Sequence, residues 1–207
     1  MGSYRIAVFA SGRGSNFQAL VDAMANGSLG GEISVLVCDK PQAPVVERAR
    51  KAGIDCFLFQ PKDYASREDY EQEIAAELSK RGIDLIVLAG YMRLLTSVLV
   101  EPYSGRMINI HPSLLPSFTG KDAIGQALAY GVKMTGITVH FVDGGMDTGP
   151  VIAQHAVEIL EGDDEASLSE RIHTAEQQLY PEVVSWFTEG RITLNGRNVA
   201  IAAPVKR

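Results

Sequence analysis

Residues 5–10 read RIAVFA and lead directly into SGRGSN at residues 11–16, so an apolar segment passes into a turn with two glycines. The apolar segment predicts a buried strand, and residues 15–25 repeat apolar side chains at helical spacing. A strand, a glycine-rich turn and a helix in this order are typical of the first unit of a wound α/β sheet. The turn would then lie at the carboxyl end of the first strand, where such sheets bind ligands.

The same alternation of apolar runs and helical patterns continues to residue 89. Further strands are predicted at 33–38, 56–59 and 85–89, and further helices at 45–52 and 66–81. Ser66 followed by Asp69 has the spacing of a capping box, and Gly82 marks the end of that helix. Four strands joined by helices predict an α/β fold with a doubly wound, mostly parallel sheet and helices on both faces.

Beyond residue 90 the pattern becomes less regular. The predicted elements are a short helix from Thr96, a strand at 107–110, a helix at 122–130, strands at 134–142 and 151–159, a helix from Ser167 or Ser169 to about Phe187, and a hairpin at 192–200. No internal repeat or low-complexity linker divides the chain. We therefore expect a single domain over residues 1–207, with halves of about 1–105 and 106–207.

The composition excludes several classes of protein. The 207 residues are 46% apolar and 21% charged, as in globular proteins, and the net charge of −6 argues against a broad nucleic-acid surface. No apolar run approaches the roughly 18 residues of a spanning helix, and no signal-peptide pattern is present. We expect a cytoplasmic protein without nucleic-acid or membrane partners. The sequence does not decide whether it forms a homodimer.

Cysteine and histidine usage gives no sign of a metal site. Cys38 and Cys56 are too few for a disulfide framework or a four-cysteine zinc site, and buried thiols in a reducing cytosol are favoured over a redox pair. No histidine and acidic residue have zinc-like spacing, so no metal is expected.

The glycine-rich turn is the first candidate site. Backbone N–H groups of Gly12, Arg13, Gly14, Ser15 and Asn16 precede a helix, and the positive end of the helix dipole favours an anion there. The turn lacks the third glycine of a dinucleotide fingerprint and the lysine of a Walker A loop. It therefore indicates a phosphate or carboxylate site, and the alternative is a tight turn that simply requires glycine.

The second candidate lies in NIHPSLLP at residues 109–116. In an extended strand Asn109 and His111 point to the same face, while Ile108 and Ile110 point into the core. A carboxamide beside an imidazole can stabilise an oxyanion and move a proton. The alternative is a hydrogen-bonded polar pair at a strand end.

The third candidate is Asp147, in the glycine-rich segment 143–150. A carboxylate there can orient His111 or act as a base through water. Asp143 is a rival, and a turn aspartate bonded to its own backbone is the structural alternative. A serine hydrolase using Ser11 or Ser113 is disfavoured because no Gly-x-Ser-x-Gly elbow is present. His140 either lines a cleft or belongs to the core.

Four motifs together resemble a known family. They are GRGSN at 12–16, LAGYMR at 88–93, NIHPSLLP at 109–116, and TVHFV at 138–142 continuing to DTGP at 147–150. In this order they resemble the phosphoribosylglycinamide formyltransferases, a branch of the folate-dependent formyltransferases, over nearly the whole chain. The resemblance implies transfer of a formyl group from the co-substrate 10-formyltetrahydrofolate to the amine of glycinamide ribonucleotide in purine biosynthesis.

The resemblance also implies roles for individual residues. Asn109 and His111 would lie beside the oxyanion of a tetrahedral intermediate, while Asp147 would hold His111 and help take the amine proton. The N-terminal half would bind the substrate phosphate at Gly12 to Asn16, and Glu176 would contact the ribose. The C-terminal half would carry the folate and catalytic site. The implied folate-binding residues are Arg67, Met92, Arg93, Leu94, Leu95, Val142 and Asp143.

Other members of the family, and one other class of protein, are the alternatives. Some members carry histidines where this chain has residues 120–124, so no role transfers to that loop. Methionyl-tRNA formyltransferase adds a C-terminal domain and formyltetrahydrofolate deformylase an N-terminal one, and we expect neither here. From another class, a non-catalytic nucleotide-binding module would explain the glycine-rich turn alone.

Overall fold

In the computed structural model, which describes residues 3–204, seven strands form one sheet and two more form a small hairpin. The strands are β1 (Arg5–Phe9), β2 (Glu32–Cys38), β3 (Cys56–Leu58), β4 (Leu85–Leu88), β5 (Met107–His111), β6 (Met134–Phe141), β7 (Val151–Glu158), β8 (Ile192–Asn195) and β9 (Asn198–Ile201). The helices are α1 (Ser15–Ala25), α2 (Pro44–Lys51), α3 (Arg67–Arg81), α4 (Ser97–Val100), α5 (Ala123–Tyr130) and α6 (Glu165–Thr188). Among these helices, none has the length and apolar character needed to cross a membrane.

The large sheet has the order β3-β2-β1-β4-β5-β6-β7. The first five strands in sequence pair in parallel, and β6 and β7 are antiparallel to their neighbours. This confirms the predicted doubly wound, mostly parallel α/β sheet. Since the chain moves outward from β1 to β3 and then returns to place β4 on the other side of β1, the crevice between β1 and β4 is the position where such sheets bind ligands.

Helices cover both faces of the sheet, as predicted. One core cluster joins α1, α2 and α6 to the sheet, with α5 packed at its margin, and the other joins α3 and α4 to the opposite face. The apolar side chains of β5 and β6 that face α6 include Ile108, Ile110 and Val139. Because side chains alternate along a strand, Asn109, His111 and His140 face the other way.

The two capping predictions had different outcomes. The capping box between Ser66 and Asp69 is present, and Gly82 ends α3 in a left-handed conformation with φ 64°. The predicted start of α6 at Ser167 or Ser169 is wrong. Asp164 is the N-cap, Glu165 is the first helical residue, and the Ser167 hydroxyl accepts the Asp164 N–H. Ser167 is thus the third helical residue of a reversed capping box.

Both cysteines are free thiols, in agreement with the sequence analysis. Cys38 is buried and Cys56 half-buried, and their sulfur atoms lie near backbone carbonyls of Lys40 and Ile54. Burial raises the pKa of each thiol, which keeps the protonated, unreactive form dominant.

Candidate active site

The glycine-rich turn joins β1 to α1 and leaves the start of the helix without a side-chain cap. Gly14 is the N-cap, with φ 75°, and a β-carbon there would lie 2.5 Å from Cγ2 of Val45. Both the left-handed backbone and the close approach of Val45 require glycine. The Val45 N–H bonds the Gly12 carbonyl at 3.1 Å, which holds the turn against α2. The first-turn N–H groups are consequently available for an anion.

A buried glutamate lies beside this turn. Asn16 Nδ2 donates to Glu176 Oε2 at 3.2 Å, and Asn16 Oδ1 is buried without a hydrogen-bond partner. Burial raises the pKa of Glu176 to about 7, against the lowering effect of the Asn16 bond. On sequence pattern alone Glu176 is an ordinary helix-surface charge, and only the family resemblance indicated it. The structure places it in the wall of the predicted anion site.

Asn109 and His140 form a pair across β5 and β6. The two residues are directly opposite in the register, and Asn109 Nδ2 lies 3.4 Å from His140 Nε2. His140 Nδ1 faces the Phe141 carbonyl at 2.8 Å, so that nitrogen carries the proton. Burial lowers the pKa of His140, which favours the neutral ring with Nε2 as an acceptor for the Asn109 amide. Of the two roles considered for His140, it has both: it is buried, and it lines the site.

His111 and Asp147 lie together on the same face. His111 Nδ1 is 3.4 Å from Asp147 Oδ2, and Asp147 Oδ1 is 3.7 Å from His140 Nε2. The Gly120 N–H donates to Asp147 Oδ2 at 2.8 Å, and His111 Nε2 lies 2.8 Å from the Phe118 carbonyl. The backbone of Phe118 and Gly120, in the segment after β5, therefore contacts both the His111 imidazole and the Asp147 carboxylate.

The loop carrying Asp147 is shaped by its neighbours. Asp143 Oδ1 accepts from the Gly145 N–H at 2.9 Å and from the Thr148 hydroxyl at 2.6 Å, which is the turn role considered for this residue. A β-carbon on Gly149 would lie 1.7 Å from the Phe141 carbonyl oxygen. Asp147 itself takes a left-handed backbone with φ 56°. These features direct the loop back over the face that carries His111.

The segment that follows β4 presents an apolar surface. Met92 and Leu94 are 72% and 54% exposed, and Leu95 is half-buried. Val142 packs beside the core cluster of the same face. Arg93 is exposed, but its Nε bonds Asp39 Oδ2 at 2.9 Å.

Arg67 is an exposed residue at the start of α3. The structure thus brings Asn109, His111 and Asp147 to one place and gives no direct contact between Arg67 and them.

Two buried acids that hold the site were not identified from the sequence. Asp39 bonds Ser11 and Arg93, and Glu71 accepts the Thr96 N–H and hydroxyl. Asp39 directly follows a buried strand, and this position in the sequence could have indicated it as a candidate site residue. Glu71 lies in a charged stretch of α3 and resembles a solvated residue.

No group of three or more histidine, cysteine, aspartate or glutamate side chains within residues 3–204 is arranged to hold a metal ion.

Known proteins resemble this chain in sequence and in structure. The model of the formyl transferase family matches residues 4–184. The phosphoribosylglycinamide formyltransferase of Bacillus subtilis is 52% identical over 180 residues, which are 87% of this chain and 92% of that protein. The structure of glycinamide ribonucleotide transformylase 1 from Symbiobacterium toebii is 44% identical with a TM-score of 0.94, covering 97% of this chain and 95% of that one.

A formyltetrahydrofolate deformylase from Pseudomonas syringae has the same fold, with a TM-score of 0.90. It is 24% identical and covers 97% of this chain and 66% of its own. At that identity the likeness extends to the fold alone. The family model covers most of the chain, and the Bacillus subtilis relative aligns along nearly its whole length. The chain therefore belongs to the formyl transferase family.

Proposed function

We propose that this chain transfers the formyl group of 10-formyltetrahydrofolate to the primary amine of glycinamide ribonucleotide in purine biosynthesis. The observation that carries the proposal is the convergence of Asn109, His111 and Asp147 on one face of β5 and β6, with His111 Nδ1 3.4 Å from Asp147 Oδ2. Relatives named as phosphoribosylglycinamide formyltransferases support the choice of substrates.

The chemistry needs groups that stabilise negative charge and accept a proton. The amine nitrogen attacks the formyl carbon, a C–N bond forms, and the carbonyl electron pair moves to oxygen. Asn109 has one amide N–H directed at His140 and a second that can donate to that oxyanion. His111 can donate to it through Nε2 when the oxyanion takes the place of the Phe118 carbonyl, which lies 2.8 Å from that nitrogen. Asp147 orients His111 and takes the amine proton through water. Collapse restores the carbonyl, breaks the bond to folate nitrogen, and returns a proton to that nitrogen.

Two binding regions flank these three residues. On the nucleotide side, the N–H groups of residues 12–16 bind the phosphate, and Glu176 accepts the ribose hydroxyls. On the folate side, Met92, Leu94 and Leu95 form an apolar wall for the pteridine. Arg93, Val142 and Asp143 complete that side, and Arg67 meets the glutamate tail. Both regions draw on both halves of the chain: residues 12–16, Arg67 and 92–95 come from the half of about 1–105, and Val142, Asp143 and Glu176 come from the half of about 106–207.

The test is a formyl-transfer assay on the purified chain with and without glycinamide ribonucleotide. We expect turnover only when both substrates are present, and His111→Ala should lower kcat by about 100-fold or more because it removes an oxyanion donor and the partner of Asp147. His155→Ala is the matched control, since His155 is exposed on β7 outside the site.

Three outcomes would contradict the proposal. Folate turnover that does not depend on the ribonucleotide would identify a deformylase. Binding of both ligands without turnover would identify a nucleotide-binding module. A His111→Ala variant as active as His155→Ala would remove the assigned mechanism.

A further inference from the structure

We propose that Asp39 is a positioning residue that fixes the nucleotide-binding turn and the folate-binding segment to each other. The inference rests on the proposed function, since it concerns how the nucleotide side and the folate side of the site are held in fixed positions relative to each other. Asp39 follows β2, Ser11 follows β1, and Met92 and Arg93 follow β4. These three strands are neighbours in the sheet, so their carboxyl ends meet at one edge.

The Asp39 carboxylate bonds both sides with separate oxygens. Oδ1 accepts the Ser11 hydroxyl at 2.5 Å, and Oδ2 accepts Arg93 Nε at 2.9 Å. Ser11 Oγ in turn accepts the Met92 N–H at 3.0 Å. The Ser11 N–H also donates to the Gly90 carbonyl at 3.1 Å, so the turn and the segment are joined by backbone as well as side chain.

Asp39 acts through these neighbours and not on a substrate. Its side chain is 0% exposed, whereas the Arg93 side chain is 40% exposed. Any effect of Asp39 on binding must therefore pass through Ser11 on the nucleotide side or through Met92 and Arg93 on the folate side. The hydrogen bond to Asp39 raises the pKa of Arg93 because it stabilises the charged guanidinium.

A second buried acid provides a contrast. Glu71 is also fully buried, and it accepts the Thr96 N–H and hydroxyl at 3.0 and 2.6 Å. Thr96 lies at the end of the folate-binding segment. Glu71 thus holds the folate side alone, whereas Asp39 holds both sides.

The substitution Asp39→Asn tests whether Asp39 holds both sides. A carboxylate offers an acceptor to Ser11 and another to Arg93, but an amide offers one acceptor and one donor. In one amide orientation the NH2 group faces the Arg93 donors, and Arg93 loses its acceptor. In the other orientation the NH2 group donates to Ser11 Oγ, so the Ser11 O–H loses its acceptor on residue 39 and Arg93 meets a neutral oxygen in place of a carboxylate. Both sides should therefore be affected.

The experiment measures initial rates of formyl transfer by the full chain while both substrates are varied. We expect Asp39→Asn to raise KM for the ribonucleotide and for the folate by about tenfold each, the size associated with loss of a hydrogen bond to a charged group. Glu71→Gln should raise only the folate KM. Asp163→Asn, which breaks the Asp163–Arg171 pair outside the site, should leave both KM values as in the wild type.

Ser11→Ala gives an independent test if Asp39→Asn folds poorly. Ser11 belongs to the nucleotide side, but its hydroxyl holds the Met92 N–H. We expect a rise in the folate KM, which a residue acting only on the nucleotide would not produce. The inference is overturned if either Ser11→Ala or Asp39→Asn is folded and leaves the folate KM unchanged, or if Asp163→Asn raises both KM values by the same factor. A wild-type chain without formyl transfer would instead overturn the proposed function, and the inference with it.

Discussion

Replacing Glu176 with glutamine should change how stability depends on pH. Burial raises the pKa of this carboxyl from 4.5 to about 7 in the folded chain. A folded-state pKa above the unfolded value means that the folded chain holds the proton more tightly. The stabilisation from the protonated form is complete below about pH 4.5 and is lost as the pH rises through about 7. Glutamine does not titrate and keeps a neutral group at every pH.

The size of the effect follows from the two pKa values. A tenfold change in proton affinity corresponds to about 1.4 kcal/mol, so the raised pKa amounts to about 3 kcal/mol of stability that is present in acid and lost at alkaline pH. Most of this develops between pH 5 and pH 8. We therefore expect the stability of Glu176→Gln relative to the wild type to increase by about 2–3 kcal/mol over that interval.

Urea unfolding of both proteins at pH 5 and pH 8, without ligand, measures this difference. His140, whose pKa burial lowers, titrates in both proteins and cancels in the comparison. Glu182→Gln is the matched control because Glu182 is exposed on the same helix. A difference between Glu176→Gln and wild type that is the same at both pH values would refute the reasoning. So would an equal pH-dependent difference in Glu182→Gln.

Two further changes test the active-site face. Gly149→Ala should destabilise the chain by more than about 2 kcal/mol and reduce kcat, because its β-carbon would lie 1.7 Å from a backbone oxygen. Gly144→Ala is the control, since a β-carbon there meets open space, and thermal unfolding should show no such loss of stability. An equal loss in both variants would contradict the packing argument. His140→Leu should lower kcat with little change in either KM, because the amide of Asn109 loses its ring acceptor. Since the folded-state pKa of His140 is lowered, its neutral form stabilises the chain above about pH 6.5 and this contribution falls in acid. Wild type and variant should therefore differ less in unfolding free energy at pH 5 than at pH 8.

The fold could be predicted because the sheet is buried on both faces. Strands such as β1 and β4 lie between two helical layers and so appear in the sequence as continuous apolar runs. The sequence also predicted that Asn109 and His111 lie on one face of β5 and Ile108 and Ile110 on the other. Successive side chains of a strand point to opposite faces, so the spacing alone decides this. The start of α6 was misjudged because Ser167 occupies the third position of a capping box that has aspartate as its N-cap.

The supporting acids could not be predicted because their environment depends on residues distant in sequence. Asp39 meets Ser11 across 28 positions, and Glu71 meets Thr96 across 25. The periodicity of apolar residues predicts which face of a helix is buried. It does not predict whether a charged residue on that face has hydrogen-bond partners elsewhere in the fold. Glu71 and Glu176 are therefore indistinguishable from solvated charges until the chain is folded.

The bond between Asn16 and Glu176 joins positions 160 residues apart. During synthesis the glycine-rich turn and the five parallel strands leave the ribosome first, and α6 follows them. A chain that stops before residue 176 contains all seven strands of the sheet, but the proposed nucleotide pocket lacks the wall that Glu176 forms. Because a ligand stabilises only the species that binds it, the ribonucleotide selectively protects finished chains over shortened ones.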